Sequence, residues 1–151
     1  MEGNKAVYLL KVEGSNEIRV NTWVGKRLSL HSSSLGKVLL AWLPPQELDA
    51  RLADLAWEKK TAHTLTSPEM FRAHLGEVRQ RGWAFDDEED IANLRCVAAP
   101  VRDAEGRVIA AISAVGTILN IAGDGFEPLA RQVCATAAEI SASLGWHKSG
   151  A

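Results

Sequence analysis

The hydrophobic period of the chain changes several times, and each change marks an element. From Ala6 to Val12 the residues are mostly apolar or β-favouring. Ile18, Val20, Thr22 and Val24 then alternate with Arg19, Asn21 and Trp23, the period of two of a half-buried strand. Glu13-Gly14-Ser15-Asn16 supplies turn residues between the two runs, so the pattern predicts a β-hairpin. An isolated hairpin is marginal in water, and this one is expected to join a larger sheet.

The period then lengthens to that of a helix. His31-Ser32-Ser33-Ser34 offers hydroxyl N-caps ahead of Leu35, Val38, Leu39, Trp42 and Leu43, which share one helical face, and Pro44-Pro45 ends the segment. A second helix is predicted from about Gln46, with Leu48, Leu52 and Leu55 on one stripe. A third opens at Ser67-Pro68, a cap followed by an N1 proline, buries Phe71, Leu75 and Val78, and closes at Gly82.

Trp83-Ala84-Phe85 restarts an extended run that enters the acidic stretch Asp86-Asp87-Glu88-Glu89-Asp90. Leu94 to Arg102 and Arg107 to Val115 read as paired strands around the loop Asp103-Ala104-Glu105-Gly106, the clearest hairpin in the chain. Phe126, Leu129, Ala130, Val133, Ala137, Ile140 and Leu144 then recur at helical spacing up to Gly145. Hairpin strands with helices gathered between them predict an α+β fold: an antiparallel sheet with helices packed on it. No repeat or linker divides the chain, and residues 1–151 are read as one domain.

Composition narrows the function classes. A chain of 151 residues with 46% hydrophobic and 24% charged residues has the balance of a folded globular domain. Its formal charge is −2 with Lys and Arg dispersed, which argues against DNA binding by this chain alone. Cys96 and Cys134 make neither a metal knuckle nor a disulfide framework, so both are expected to be free thiols in a reducing cytoplasm. No signal-like opening or membrane-length apolar run is present in the sequence. The start Met1-Glu2-Gly3-Asn4-Lys5 leads directly into a strand-like run, consistent with an excised fragment.

Candidate chemistry is sparse. Strand alternation puts Ile109, Ala111, Ser113 and Val115 on one face, and Leu94, Cys96 and Ala98 on one face of the partner strand. The small residues there, with Ala99, Ala110 and Ala114, serve either close helix packing or a small cavity in which Ser113 is a polar group. Ser32-Ser33-Ser34-Leu35-Gly36 places main-chain N–H groups at a helix start, as an anion site requires, although serines there also act as plain caps. The acidic run could bind a cation or a ligand hydroxyl, but by itself it reads as a solvated turn. Cys96 with His31 as base would make a nucleophile, yet no orienting third group is visible. His63 and His74 are isolated, so no metal is expected.

Taken in order, these segments resemble the C-terminal effector-binding domain of the isocitrate lyase regulator (IclR) family of bacterial transcription regulators. The matching stretches are Val7-Tyr8 with Val12-Glu13-Gly14, Gly25 to His31 leading into Leu35 to Ala41, Arg81 to Glu89, Leu94 to Val101, and Ala110 to Ser113. The resemblance implies a GAF-like or profilin-like domain, a curved antiparallel sheet with packed helices and a pocket on the concave side. It places Ser34 and Leu35, beside Gly36, in the pocket wall, with Asp86, Leu94, Cys96 and Ser113. Two positions depart from the small-carboxylate sensors of the family: Val115 stands where a second serine often occurs, and Ser34-Leu35 replaces smaller residues.

The resemblance further implies a small organic acid or sugar acid as effector, self-association as a dimer or tetramer, and no cofactor. DNA would be bound only through a winged helix-turn-helix domain absent from this chain, and an opening strand is expected to be missing or truncated before Gly3. Two other readings remain: an oligomerisation module without a ligand, and a small-molecule enzyme using Cys96.

Overall fold

The computed structural model describes residues 1–14, 20–123 and 125–147. Its elements are β1 (Lys5–Val7), β2 (Arg27–Ser29), α1 (Ser34–Ala41), α2 (Pro45–Ala53), α3 (Pro68–Arg81), β3 (Ala84–Asp87), β4 (Leu94–Arg102), β5 (Val108–Thr117) and α4 (Phe126–Ser143). All strand pairs are antiparallel: β1 with β2, and β3-β4-β5 as a separate sheet with β4 in the middle. The α+β class is the one the sequence predicts, but among the described residues the strands form two separate antiparallel sheets, so the first strand pair does not join the larger sheet as expected.

Strand alternation divides the core in two. Val97, Ala99 and Val101 of β4 point to one face, where α4 covers them with Phe126, Ala130, Val133 and Ala137. Ala84 and Ala98 point to the other, and join Val38, Leu40 and Ala41 of α1 and Phe71, Leu75 and Val78 of α3. Burying each large apolar side chain contributes roughly 1.5–3 kcal/mol, so the paired layers hold the sheet from both sides. The alanines let α1 approach the sheet closely. Pro100 is accommodated within β4 because β3 extends only as far as Ala84 opposite Ala98, so β3 offers no acceptor at that position.

The helix boundaries follow their caps. Ser33 Oγ accepts from the Gly36 N–H at 3.1 Å, and the Ser67 side chain accepts from Met70 N ahead of Pro68. Gly82 ends α3 at φ +87°, a left-handed conformation that suits glycine.

The first predicted hairpin is corrected. β1 pairs with residues 27–29, in the register Ala6 opposite Leu28, and the ladder continues through Tyr8 N–H to Lys26 O at 3.1 Å and Gly25 N–H to Tyr8 O at 2.8 Å. Residues 20–24 form no strand, while Ser15, Asn16, Ile18 and Arg19 of the expected turn and strand lie outside the described residues. Burial decides between the two pairings: Leu28 and Leu30 reach the core, whereas Trp23 and Val24 are more than half exposed. The ammonium of Lys11 donates to the carbonyls of Val20 and Thr22, which holds that stretch across the mouth of a hollow rather than in a ladder.

Candidate functional site

The approach to α1 is tightly built. Ser33 Oγ, which caps the helix, also donates to Ser29 O at 2.5 Å, and Ser32 Oγ donates to Asp90 Oδ1 at 2.5 Å. Lys60 Nζ meets the same Asp90 oxygen at 2.5 Å, so the acidic turn, the loop before α1 and the loop after α2 are pinned together. The main-chain N–H groups of Ser34 and Leu35, in the first turn of α1, find no acceptor among the described residues.

Across the sheet, register aligns two rows of side chains toward this helix end. Asp86 lies opposite Cys96, and Cys96 opposite Val115; Ala84 lies opposite Ala98, and Ala98 opposite Ser113. Leu94 extends the β4 side of the first row by one alternation. Between sheet and helix is a cavity of about 40 Å³, lined by Ser34, Leu35, Asp86, Leu94, Cys96, Ser113 and Val115. That is room for on the order of three water molecules. The cavity is closed toward β3 and opens toward β5, where Ser113 and Val115 are exposed. There it adjoins a larger hollow of about 590 Å³ between residues 6–14 and β5, and Leu35, Ser113 and Val115 line both.

Seven of the eight residues expected in the wall are therefore brought together, and Gly36 is not among them. A Cβ on Gly36 would lie 2.4 Å from Leu30 Cα and 2.5 Å from Leu30 O, so this glycine permits contact between α1 and the preceding backbone. The structure adds Tyr8, Thr22, Lys26 and Asp90 to the lining. Tyr8, the chain's only tyrosine, lies at the end of the first apolar run, and Thr22 lies in the next alternating run. Neither position could be aimed at the cavity without the β1–β2 register.

The acidic run is not a solvated turn: Asp86 is 3% exposed and Glu89 4%. Burial pushes the Asp86 carboxyl up to about 7, against the pull of the Glu89 N–H and the Lys37 ammonium. Glu89 is also raised by burial and Lys37 lowered, while each pulls the other back toward its charged form across 2.5 Å. Lys37 Nζ further donates to Phe85 O at 2.9 Å. Burial raises the Tyr8 phenol, with Cys96, Asp90 and Asp86 adding to it, so the hydroxyl stays a neutral donor.

Catalysis by Cys96 finds no support in this geometry. Burial, followed by Asp86 and Asp90, pushes its thiol well above the ordinary range, the opposite of an activated nucleophile. His31 is 1% exposed, its Nε2 is 3.0 Å from Glu58 O, and its ring packs on Trp57. Among the described residues no group of three or more His, Cys, Asp or Glu side chains is placed to hold a metal ion. Among the described residues no helix is long and apolar enough to cross a membrane.

The arrangement thus offers free N–H donors at a helix start, a buried carboxyl that changes charge near neutrality, and hydroxyls around a small hollow. Comparison with known proteins agrees with the regulator resemblance. Residues 1–142 match the family described as bacterial transcriptional regulator IclR C-terminal. The uncharacterized HTH-type transcriptional regulator RhmR of Escherichia coli is 43% identical over 146 residues, 97% of this chain and 56% of that protein. The chain thus spans about half the length of that curated relative. A putative transcriptional regulator from Rhodococcus sp. RHA1 superposes with a TM-score of 0.91 at 33% identity, over 96% of this chain and 59% of the other. The inducer-binding domain of PobR from Acinetobacter, a double mutant in complex with 3-hydroxybenzoic acid, superposes with a TM-score of 0.79 at 26% identity, over 93% of this chain and 83% of the other. These relatives are named as transcription regulators, not as enzymes, and the chain belongs to the IclR family of bacterial transcriptional regulators, matching its C-terminal domain.

Proposed function

We propose that the chain senses a small organic acid or sugar acid in the cavity between α1 and the β3-β4-β5 sheet. The observation that carries this reading is that Ser34 and Leu35, whose N–H groups have no acceptor among the described residues, line one hollow with the buried Asp86. A carboxylate placed at the α1 terminus gains on the order of 0.3–1 kcal/mol from the helix dipole. Charge-assisted hydrogen bonds add roughly 1.5–3 kcal/mol each, enough together for micromolar to millimolar sensing. Near neutrality Asp86 exists in both forms: ionised it accepts from a ligand hydroxyl, and protonated it donates to a ligand oxygen. Ser113 and Tyr8 add hydroxyl partners, and Leu35 and Val115 give the apolar contacts that limit size. The PobR domain's complex with a hydroxylated carboxylic acid lends weight to this ligand class.

In the longer polypeptide, ligand binding alters how an N-terminal winged helix-turn-helix domain engages its operator in the cytoplasm. A coupling of about 1–3 kcal/mol between the sites changes operator affinity several-fold to a hundredfold. The protein works as a dimer or tetramer, and strictly monomeric light scattering of the full-length form would count against that. The hollow of about 590 Å³ between residues 6–14 and β5, with Leu35 and Leu39 among the residues lining it, lies between the two separate sheets, which supports a further strand there joining them.

Thermal-shift screening of this chain against two- to six-carbon hydroxy, keto and sugar acids tests the reading. A binding acid raises the melting temperature with ligand concentration. Uniform absence of stabilisation would favour an oligomerisation module without a ligand, and conversion of an acid to product would favour an enzyme.

A further inference from the structure

Asp86 is held by two main-chain donors: its Oδ1 accepts from Glu89 N–H at 2.7 Å and from Asp90 N–H at 3.3 Å. Each donor belongs to a peptide unit that is gripped at its other end. The Glu88 carbonyl, in the same peptide as the Glu89 N–H, accepts from Thr61 Oγ1 at 2.7 Å. The Glu89 carbonyl, in the same peptide as the Asp90 N–H, accepts from Thr64 Oγ1 at 2.7 Å. In a trans peptide the C=O and N–H point in opposite directions. A donor on the oxygen therefore fixes the rotation of the plane and polarises its N–H toward the carboxyl beyond.

The hydroxyls are themselves oriented. Thr64 Oγ1 accepts from the N–H groups of Lys60 at 3.1 Å and Thr61 at 2.9 Å, and Thr61 Oγ1 accepts from His63 N–H at 3.1 Å. Their remaining protons are thereby directed to the turn. Glu88 is at φ +59°, a left-handed conformation unusual for a residue other than glycine, which the surrounding contacts must hold. Neither threonine lines the cavity.

We propose that Thr61 and Thr64, from the loop between α2 and α3, are positioning residues that set the aim and the ionisation of Asp86 through two peptide units. The proposal deepens, and rests on, the reading of the cavity as an effector site. The other groups acting on Asp86 are Lys37 from α1, Glu89 and Asp90 from the turn, Cys96 from β4, and Tyr8 beyond β1. The threonine relay acts with Lys37 and against burial, because an N–H that points firmly at a carboxylate favours its charged form.

The test is the titration of the Asp86 side-chain carboxyl carbon by NMR in the ligand-free protein. Thr61→Val and Thr64→Val should each raise its midpoint, by about half a pH unit or more. Thr64→Ser, which keeps the hydroxyl, and Leu65→Ala, which loosens the same loop without touching the relay, should titrate as the wild type. Valine variants that stay folded and titrate as the wild type, or an equal shift in Leu65→Ala, would overturn the proposal. Should the valine variants fail to fold, the wild type still decides: the amide protons of Glu89 and Asp90 must titrate with the Asp86 midpoint, and their indifference to it contradicts the relay. Lactate, small enough for the hollow, supplies the binding readout. Its affinity should fall as pH rises through the Asp86 midpoint, and that fall should move to higher pH in the valine variants. A wild type that binds no lactate at any pH speaks against lactate as an effector, whereas the ligand-free titration judges the relay independently.

Discussion

The ammonium of Lys37 meets the carboxylate of Glu89 at 2.5 Å, with the lysine side chain wholly buried and that of Glu89 6% exposed. Lys37 belongs to the α1 face that packs on the sheet, and Glu89 to the turn after β3 whose N–H groups hold Asp86, so this pair joins the two walls of the cavity. Its second carboxylate oxygen, Oε2, is buried without a partner among the described residues. Removing either member alone leaves an uncompensated charge in the core. Lys37→Met or Glu89→Leu should each destabilise the domain by about 3–5 kcal/mol, while the double substitution should recover most of that loss. Urea denaturation of the three variants checks this, and additive losses in the double variant would contradict it.

Asp86 makes stability depend on pH in a defined direction. Its folded value of about 7 lies above the ordinary carboxyl value of 3.8, so the folded state binds the proton more tightly than the unfolded chain. The resulting stabilisation is fully present below pH 3.8 and is lost as pH rises to about 7. The total change is on the order of a few kcal/mol. Asp86→Asn should flatten this part of the stability curve, whatever constant offset the amide introduces. Denaturation midpoints between pH 4 and pH 8 check it, and equal slopes for the two proteins would show that Asp86 titrates normally.

Gly36 and Gly76 are both helical glycines with opposite expectations. At Gly36 a methyl group would meet Leu30 backbone at 2.4 Å, which cannot yield without moving α1. Gly36→Ala should cost about 3 kcal/mol or more, or prevent folding. At Gly76 in α3 nothing lies within 4 Å of an added Cβ, so Gly76→Ala should stabilise by about 1 kcal/mol through helix propensity. Thermal or urea melts of the two variants provide the measurement, and similar effects at both sites would refute the distinction.

Leu35 and Val115 limit the hollow on its open side. Leu35→Ala should admit larger acids, and Val115→Ser should favour acids with an additional hydroxyl. Calorimetric ranking of an acid series against each variant tests this, and an unchanged ranking would place the size limit elsewhere.

Local signals disclosed the elements whose determinants are adjacent in sequence. Ser33 and Ser67 as caps, Pro68 at the first helical position, Gly82 in the left-handed conformation and the β4–β5 alternation all act within a few residues. The β1–β2 pairing was not legible because the alternation at 18–24 resembles a strand, whereas the partner is chosen by the burial of Leu28 and Leu30. The acidic run misled for a related reason. Five consecutive acidic residues suggest solvent, and their burial depends on partners far along the chain: Lys37 for Glu89, Ser32 and Lys60 for Asp90, Thr61 and Thr64 for the turn backbone. Seven of the eight wall positions followed from family resemblance, which carries such long-range information. Gly36 did not, since close backbone approach can serve packing as well as a ligand.

The most direct measurement of the central claim is the crystal structure of this domain with the tightest-binding acid from the thermal-shift screen. The account predicts the acid between α1 and the sheet, its carboxylate within hydrogen-bond reach of the Ser34 or Leu35 N–H and another of its oxygens beside Asp86. An acid found wholly in the hollow between residues 6–14 and β5, or on the outer face of α4, with the cavity beneath α1 unchanged, would contradict it.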